Sequence, residues 1–319
     1  MQLRNVLLIG GSGLIGAAIA RKLSAAGLRV TIPTRRRERV KHLIMLPTVD
    51  VVQAKVTDAA VLAALLRGQD AVINLAGILQ GGRGTPYGPA FKQVHVDLPA
   101  NIAAACIAAG VKRLVHFSAL GAAADAPSMY LRSKAAGEAA VLAVKEQVAV
   151  TVFRPSIVFG PQDRFLNFFA LLQRRFPFIA LGRAQAKMQP VYVEDVAQAV
   201  LNVLDHPATF GATYEIAGPR IYTLKELMQY AGAVSGHPRL VIELPDSLAY
   251  LQAGLMEWLP NPPLSRDNLD TMRVDNVMAG AVAPELGVHP VAMEAVVPGY
   301  LAGTSPRERY MKLRDHAGR

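Results

Sequence analysis

Residues 5–20 read NVLLIGGSGLIGAAIA. An apolar, β-rich run ends in two glycines, and an apolar helical run starts near Leu14. This order constrains the chain more than any other feature. It demands a strand, a sharp turn that only glycine accommodates, and a helix whose first N–H groups face outward. Two spacings fit at once. Gly11, Gly13 and Gly16 match G-x-G-x-x-G, and Gly10, Gly13 and Gly16 match G-x-x-G-x-x-G. Either way, the turn and the positive end of the helix form an anion site suited to a pyrophosphate. The expected contacts are Gly10, Ser12, Gly13, Leu14, Ile15 and Gly16, in the G-x-x-G-x-x-G manner.

The next hundred residues alternate. Strand-like runs occur at RVTIPT, VDVVQAKV, AVINLAG and RLVHFSA, with helical runs between them at ERVKHLIML, DAAVLAALLRG and LPANIAAACIAAGV. Such alternation predicts an α/β fold, a Rossmann-type doubly wound parallel sheet. The strands are continuously apolar, so both sheet faces should be covered. After Pro155 the pattern turns irregular and proline-rich, as at Pro260-Asn261-Pro262-Pro263. The expected organisation is a dinucleotide-binding domain over 1–160, with about 185–217 returning to it, and a smaller, mainly helical lobe over 161–319. With 319 residues, 52% of them hydrophobic, the chain can bury a large core. Apolar runs are broken well before a membrane span's length, no signal-like segment precedes the first strand, and the single cysteine, Cys106, excludes an internal disulfide. These features lead to an expected cytoplasmic location, with peripheral membrane association left open. The net charge is +10, but the basic residues are spread out, with dense runs only at Arg35-Arg36-Arg37 and in the tail PRERYMKLRDHAGR. No nucleic-acid motif accompanies them, and the seven histidines lack metal-ligand spacing. Neither nucleic acid nor metal is expected.

Two further stretches bear on chemistry. A site for NAD(H) usually carries a carboxylate at the end of the second strand to hold the ribose. Here Thr34 is followed by Arg35, Arg36 and Arg37. Arginine forks suit a phosphate, so NADP(H) is expected over NAD(H), with Arg35 and Arg36 at the phosphate. Farther on, SMYLRSKAAGEAAV places Tyr130 and Lys134 four apart on one helical face. A tyrosine is a poor acid–base at neutral pH unless a cation stabilises its phenolate, and a lysine one turn away supplies that cation.

In this order, GGSGLIG, NLAG, YLRSK and VFRPSIVFGP resemble the extended short-chain dehydrogenase/reductase superfamily. RPSIVFGPQDRFLNFF, QPVYVEDVA, TYEIAGPRIYTLKEL and LPNPPLSRDNLDTMRVDNV are similar to its atypical subgroup, which includes the nucleotide-holding accessory subunit of respiratory complex I. The resemblance implies Tyr130 as acid–base, and Lys134 as its partner and ribose ligand. It implies Asn74, Leu75, Ala76 and Gly77 near the adenosine half, and Pro155, Ser156 and Val158 beside the nicotinamide. It also exposes departures. The substrate-polarising hydroxyl of active members falls nearer Ala119 or Leu120, leaving Ser118 as a shifted substitute or a strand-end serine. His95 stands where the family has a relay asparagine, either as a relay or as a hydrogen-bonded spacer. Lys55, with Val56 beside it, replaces the usual acid near the adenine and adds to the expectation of NADP(H).

Arg154, Arg164 and Arg183 are candidates for a substrate cleft or for the surface. Asp195 should cap or orient its helix. Met256 and Trp258 suit a helix packing face. Residues 246–277 have the apolar length for a docking surface against a protein or a membrane edge. Two functions stay open: an oxidoreductase using the Tyr130–Lys134 pair on an unknown small molecule, or a non-catalytic module that holds its nucleotide and docks on a protein partner. A sugar-nucleotide epimerase or dehydratase ranks behind both.

Overall fold

Every residue of the strands Ala71–Asn74 and Arg113–Phe117 is buried. Uninterrupted apolar runs require this, because such strands must be covered on both faces. In the computed structural model, which describes residues 3–260 and 262–302, the strands are β1 Asn5–Ile9, β2 Arg29–Thr34, β3 Val49–Gln53, β4 Ala71–Asn74, β5 Arg113–Phe117, β6 Ala149–Pro155, β7 Val158–Phe159, β8 Phe178–Gly182, β9 Lys187–Met188, β10 Val191–Tyr192, β11 Ala212–Ile216, β12 Tyr222–Thr223 and β13 Leu240–Leu244. Seven of them form one parallel sheet in the order β11-β6-β5-β4-β1-β2-β3. Strand order reverses between β1 and β4, and that crevice at the carboxyl edge is where a doubly wound sheet receives a ligand.

The α-helices of six residues or more are α1 Leu14–Ala25, α2 Ala59–Leu66, α3 Leu98–Ala109, α4 Met129–Leu142, α5 Leu166–Arg175, α6 Val193–Val203, α7 Leu224–Val234, α8 Asp246–Met256 and α9 Arg266–Thr271. One sheet face is covered by α1 and α6, whose Ala and Val residues join Val6, Leu8, Ile73 and Val115 in one core cluster. The other is covered by α2, α3 and α4 through Leu62, Ile102, Cys106 and Val141. Thus α6 and β11, both from beyond residue 185, belong to the sheet layer. Helices α5 and α7 build a C-terminal lobe around Phe159, Phe169, Leu227 and Met228, and α8 and α9 pack on each other in a separate small cluster of Ala249, Ala253 and Leu269. The predicted helix at ERVKHLIML is only a short 3-10 turn, Arg37–Val40, and one helical turn, Lys41–Ile44.

Of the two roles expected for Asp195, capping or orienting α6, the cap is not made; its carboxylate accepts the Val291 N–H at 2.8 Å and ties the C-terminal segment to α6. Trp258 does not pack either, being 89% exposed. The basic tail 306–319 lies outside the described residues.

Candidate functional site

The glycine loop sits at the crevice. Gly10 has φ +81°, and a Cβ there would lie 2.9 Å from the Leu75 carbonyl carbon. A Cβ on Gly16 would lie 2.4 Å from Gly11 Cα. Turn geometry and helix–strand contact therefore account for both glycines. Gly13 differs: the nearest atom to its Cβ position is Gly10 O, at an ordinary 3.5 Å. The fold itself does not need a glycine there. Gly13 is the N-cap of α1, which has no side-chain cap and no acid in its first turn. By contrast, α2, α4, α7 and α9 are capped by Asp58, Ser128, Thr223 and Ser265. An exposed glycine before uncapped N–H groups fits the close approach of an anionic group.

The other expected nucleotide contacts ring the same edge. Leu75 and Ala76 are half-buried and Gly77 is exposed just beyond β4. Asn74 orders this turn: its Oδ1 accepts the Ala76 N–H at 3.1 Å, and its Nδ2 donates to His116 Nδ1 at 3.1 Å. Val56 is half-buried, Ser156 is buried, and Pro155 and Val158 are half-buried.

Tyr130 and Lys134 lie one turn apart on α4, as their spacing predicts. Lys134 is 5% exposed, and its Nζ donates to the Phe117 carbonyl at 2.5 Å. Burial pushes its ammonium down to about 8, against a smaller upward pull from Glu138. Burial pushes the Tyr130 phenol up to about 12. The tyrosine ring is set edge-on against His95, with centroids 5.5 Å apart, and His95 stacks on Phe91 at 5.2 Å.

His95 lies in a π-helical segment, Lys92–Asp97. Its Nε2 accepts the Ile78 N–H at 3.0 Å, and its Nδ1 lies 2.9 Å from Ser133 Oγ, which donates to the Tyr130 carbonyl at 2.7 Å. Ser133 spends its single proton on that carbonyl, so His95 carries its proton on Nδ1. Burial first, and then Lys134, hold its pKa down to about 3. With both nitrogens occupied and the ring neutral, His95 is the hydrogen-bonded spacer of the two alternatives. It anchors α4 to the loop after β4.

Ser118 donates its main-chain N–H to Phe153 O at 2.8 Å, while its buried Oγ has no partner among the described residues. His116 Nε2, two residues back on the same sheet face, is likewise buried and unpartnered. Burial holds His116 well below its ordinary pKa, with Lys134 and His95 adding to the effect. Buried polar atoms without partners are unusual in a finished fold. Together with the open glycine cradle, they make this edge a fit for a nucleotide.

Sequence reasoning missed two residues from far along the chain. Asp267, on α9, accepts the Met129 N–H at 2.6 Å and the Tyr130 N–H at 3.1 Å, adding a carboxylate to the start of α4. Asn276 Oδ1 accepts from Ser156 Oγ at 2.5 Å and from the Ile157 N–H at 3.0 Å. The S-x-x-N capping pattern of Ser265 and Asn268 marks where α9 starts but says nothing of what Asp267 will touch. Of the candidate arginines, Arg154 grips the buried Glu138 through two bonds, at 2.9 and 2.7 Å, and so fastens α4 to β6. Arg164 is exposed, and Arg183 lies 3.1 Å from Asp246.

The family model of the NAD dependent epimerase/dehydratase family matches residues 6–217. NADH dehydrogenase (ubiquinone) 1 alpha subcomplex subunit 9, mitochondrial, of Mus musculus is 31% identical over 89% of this chain and 76% of its own length. The ceramide reductase of Caulobacter vibrioides is 29% identical over 76% of this chain and 74% of its own. Among solved structures, MoeE5 in complex with UDP-glucose and NAD has a TM-score of 0.65 at 21% identity, covering 75% of this chain and 85% of that one.

Two expectations are corrected. The preference for NADP(H) fails: MoeE5, which shares the fold, was solved with NAD. Arg35, Arg36 and Lys55 are all exposed, and their side chains make no hydrogen bond or ion pair among the described residues. The fold therefore does not hold them in a preformed phosphate clamp. The cytoplasmic location is overturned by the relatives, since the mouse protein and its counterparts are mitochondrial by name. Among the described residues no helix is long and apolar enough to cross a membrane. The matched glycine loop, sheet order and sequence converge: the chain belongs to the NAD dependent epimerase/dehydratase family, as an extended short-chain dehydrogenase/reductase with a dinucleotide-binding fold, related to the alpha subcomplex subunit 9 of NADH dehydrogenase.

Proposed function

We propose that this chain is an NAD(H)-dependent oxidoreductase acting on a carbonyl group. Gly10, Ser12, Gly13, Leu14, Ile15 and Gly16 would hold the pyrophosphate, Leu75, Ala76 and Gly77 the adenosine half, and Pro155, Ser156 and Val158 the nicotinamide side. When bound, the nucleotide supplies or accepts the hydride. Tyr130 exchanges the proton with the substrate oxygen. Lys134 draws the phenol toward ionisation and holds the ribose.

The observation that carries this reading is Lys134 itself. A buried ammonium whose hydrogen-bond partner is one main-chain carbonyl is costly to keep. Its position, one turn from a tyrosine whose phenol makes no hydrogen bond among the described residues, gives that cost a purpose. The Caulobacter relative, a reductase by name, supports the same direction. The test is NADH oxidation with a panel of ketones by the wild-type chain and Tyr130→Phe. The variant should lose at least about a hundredfold in turnover while binding NADH within about threefold of the parent.

A second reading has its own observation. Ala119 and Leu120 carry no hydroxyl where active members do, and the mouse relative is a subunit of a larger enzyme by name. Tight NADH binding with no turnover on any ketone would favour a nucleotide-holding module.

A further inference from the structure

Helix α8 is built inside out. Ala249 and Ala253 are buried against Leu269 and β8. Small side chains are required there, because a Cβ on Gly182 would come 2.6 Å from Ala249 Cβ. The large apolar residues point the other way. Leu248, Leu251 and Leu255, with Trp258 and Leu259 in the turn that follows, are each at least half exposed. At 3.6 residues per turn, these five fall within about 100° of arc, and the Trp258 and Leu259 N–H groups continue the helical sense by bonding to Leu255 O and Met256 O. Leu79 is also exposed, and its neighbour Gln80 donates to the Pro262 carbonyl beyond α8. A helix that buries alanines and exposes leucines is not explained by its own fold.

The strip's rim identifies what covers it. The two carboxylates at its ends are already answered by arginines. Asp246 lies 3.1 Å from Arg183, and Glu257 is shared by Arg83 at 3.2 Å and Arg266 at 2.7 Å. Three arginines face two acids, and Arg83 keeps 77% of its side chain exposed. The chain as a whole carries +10. A flat leucine strip, a tryptophan at one end and a cationic rim match the interface of an anionic bilayer. There the leucines enter the acyl boundary, the indole sits at headgroup level and the arginines meet phosphates. We propose that α8 and the 258–259 turn seat the protein on an anionic phospholipid surface, lying in the interface without crossing it.

Trp258 is the sole tryptophan, so the full chain carries its own probe. It should be mixed with vesicles of phosphatidylglycerol and phosphatidylcholine, and with phosphatidylcholine alone. Expected are a blue shift of tryptophan emission and co-sedimentation with the anionic vesicles, both weakened by salt. Leu251→Glu with Leu255→Glu should lower vesicle affinity at least about tenfold without moving the melting temperature or NADH binding. Arg83→Glu, which leaves the leucines in place, should weaken only the preference for anionic vesicles. Absence of a shift with either vesicle overturns the proposal. So does equal affinity for both, which removes the anionic partner. A blue shift that grows with protein concentration without lipid overturns it in favour of a second copy of the chain.

Discussion

Gly137 sets how closely the Tyr130 helix approaches its support. It lies midway along α4, where helix propensity favours alanine over glycine by about 1 kcal/mol. The structure predicts the opposite sign. A Cβ at Gly137 would stand 1.8 Å from the His95 carbonyl oxygen and 3.3 Å from Pro99 Cγ, where real Cβ atoms essentially never come within 3.0 Å. The obstructing atom is main chain and has no rotamer to escape into. Gly137→Ala must therefore part α4 from the π-helical segment by more than an ångström. That loosens the His95–Ser133 contact and the edge-on seat of Tyr130. Overpacking of this kind costs about 3 kcal/mol at the upper end of its usual range. After subtracting the propensity gain, the variant should be less stable by about 2 kcal/mol. Urea unfolding followed by circular dichroism measures this directly. A variant as stable as the parent, or more so, would refute the account of how α4 is held.

Other perturbations follow from buried charge. His95 is held neutral down to about 3 by burial and by Lys134, whereas the unfolded chain takes up that proton near 6.5. Between those values only the unfolded state gains the proton, so stability falls on acidification, by about 3 kcal/mol from this group between pH 6.5 and 4. His116 acts in the same direction. Denaturant titrations at several pH values should show the decline, and His95→Asn should flatten it; an unchanged slope would remove His95 as its source. Lys134 titrates at about 8 in the fold and 10.5 in its absence. Both states are charged below 8, and stability should rise from pH 8 to 10.5, a rise that Lys134→Met abolishes in the same titrations. Arg154→Ala strands the Glu138 carboxylate, which is 6% exposed, and should cost about 2 kcal/mol. Adding Glu138→Gln should recover part of it in a double-mutant cycle, and simple additivity would contradict a paired role. Arg113, wholly buried, donates to the carbonyls of Ala149, Val203 and Leu204 and to Thr151 Oγ1. Arg113→Met should cost at least about 3 kcal/mol by calorimetry, because those acceptors lose their donor in a dry site.

The parts of this molecule legible in the sequence are those set by local pattern. The continuous apolar runs specify covered parallel strands, the glycine spacing specifies the turn before α1, and the interval from Tyr130 to Lys134 specifies a shared helical face. What escaped reading depends on contacts between distant segments. Asp267 reaches the start of α4 across more than a hundred residues, and no local signal announces its target. Arg154 read as a residue of a cleft or of the surface, and nothing local pointed to Glu138, the partner it grips in the fold. Arg35 and Arg36 have the chemistry of a phosphate clamp, but a side chain's type does not say whether the fold holds it in place, and here both are exposed and held by no partner among the described residues. The π-helical turn at His95 and the alanine-inward setting of α8 are likewise tertiary outcomes, imposed by how closely neighbouring backbones approach.

The central claim is that the glycine loop receives a dinucleotide, and Gly13 isolates it. Its Cβ position is open and its backbone is extended at φ −83°, so valine fits the fold and intrudes only on a bound pyrophosphate. Nucleotide-stripped wild-type chain and Gly13→Val should be titrated with NADH by nicotinamide fluorescence, with the unfolding midpoint recorded for each. The account predicts saturable binding to the wild type and a loss of at least about tenfold in the variant, at a stability within about 1 kcal/mol. Equal binding by both chains, or binding by neither, would contradict it.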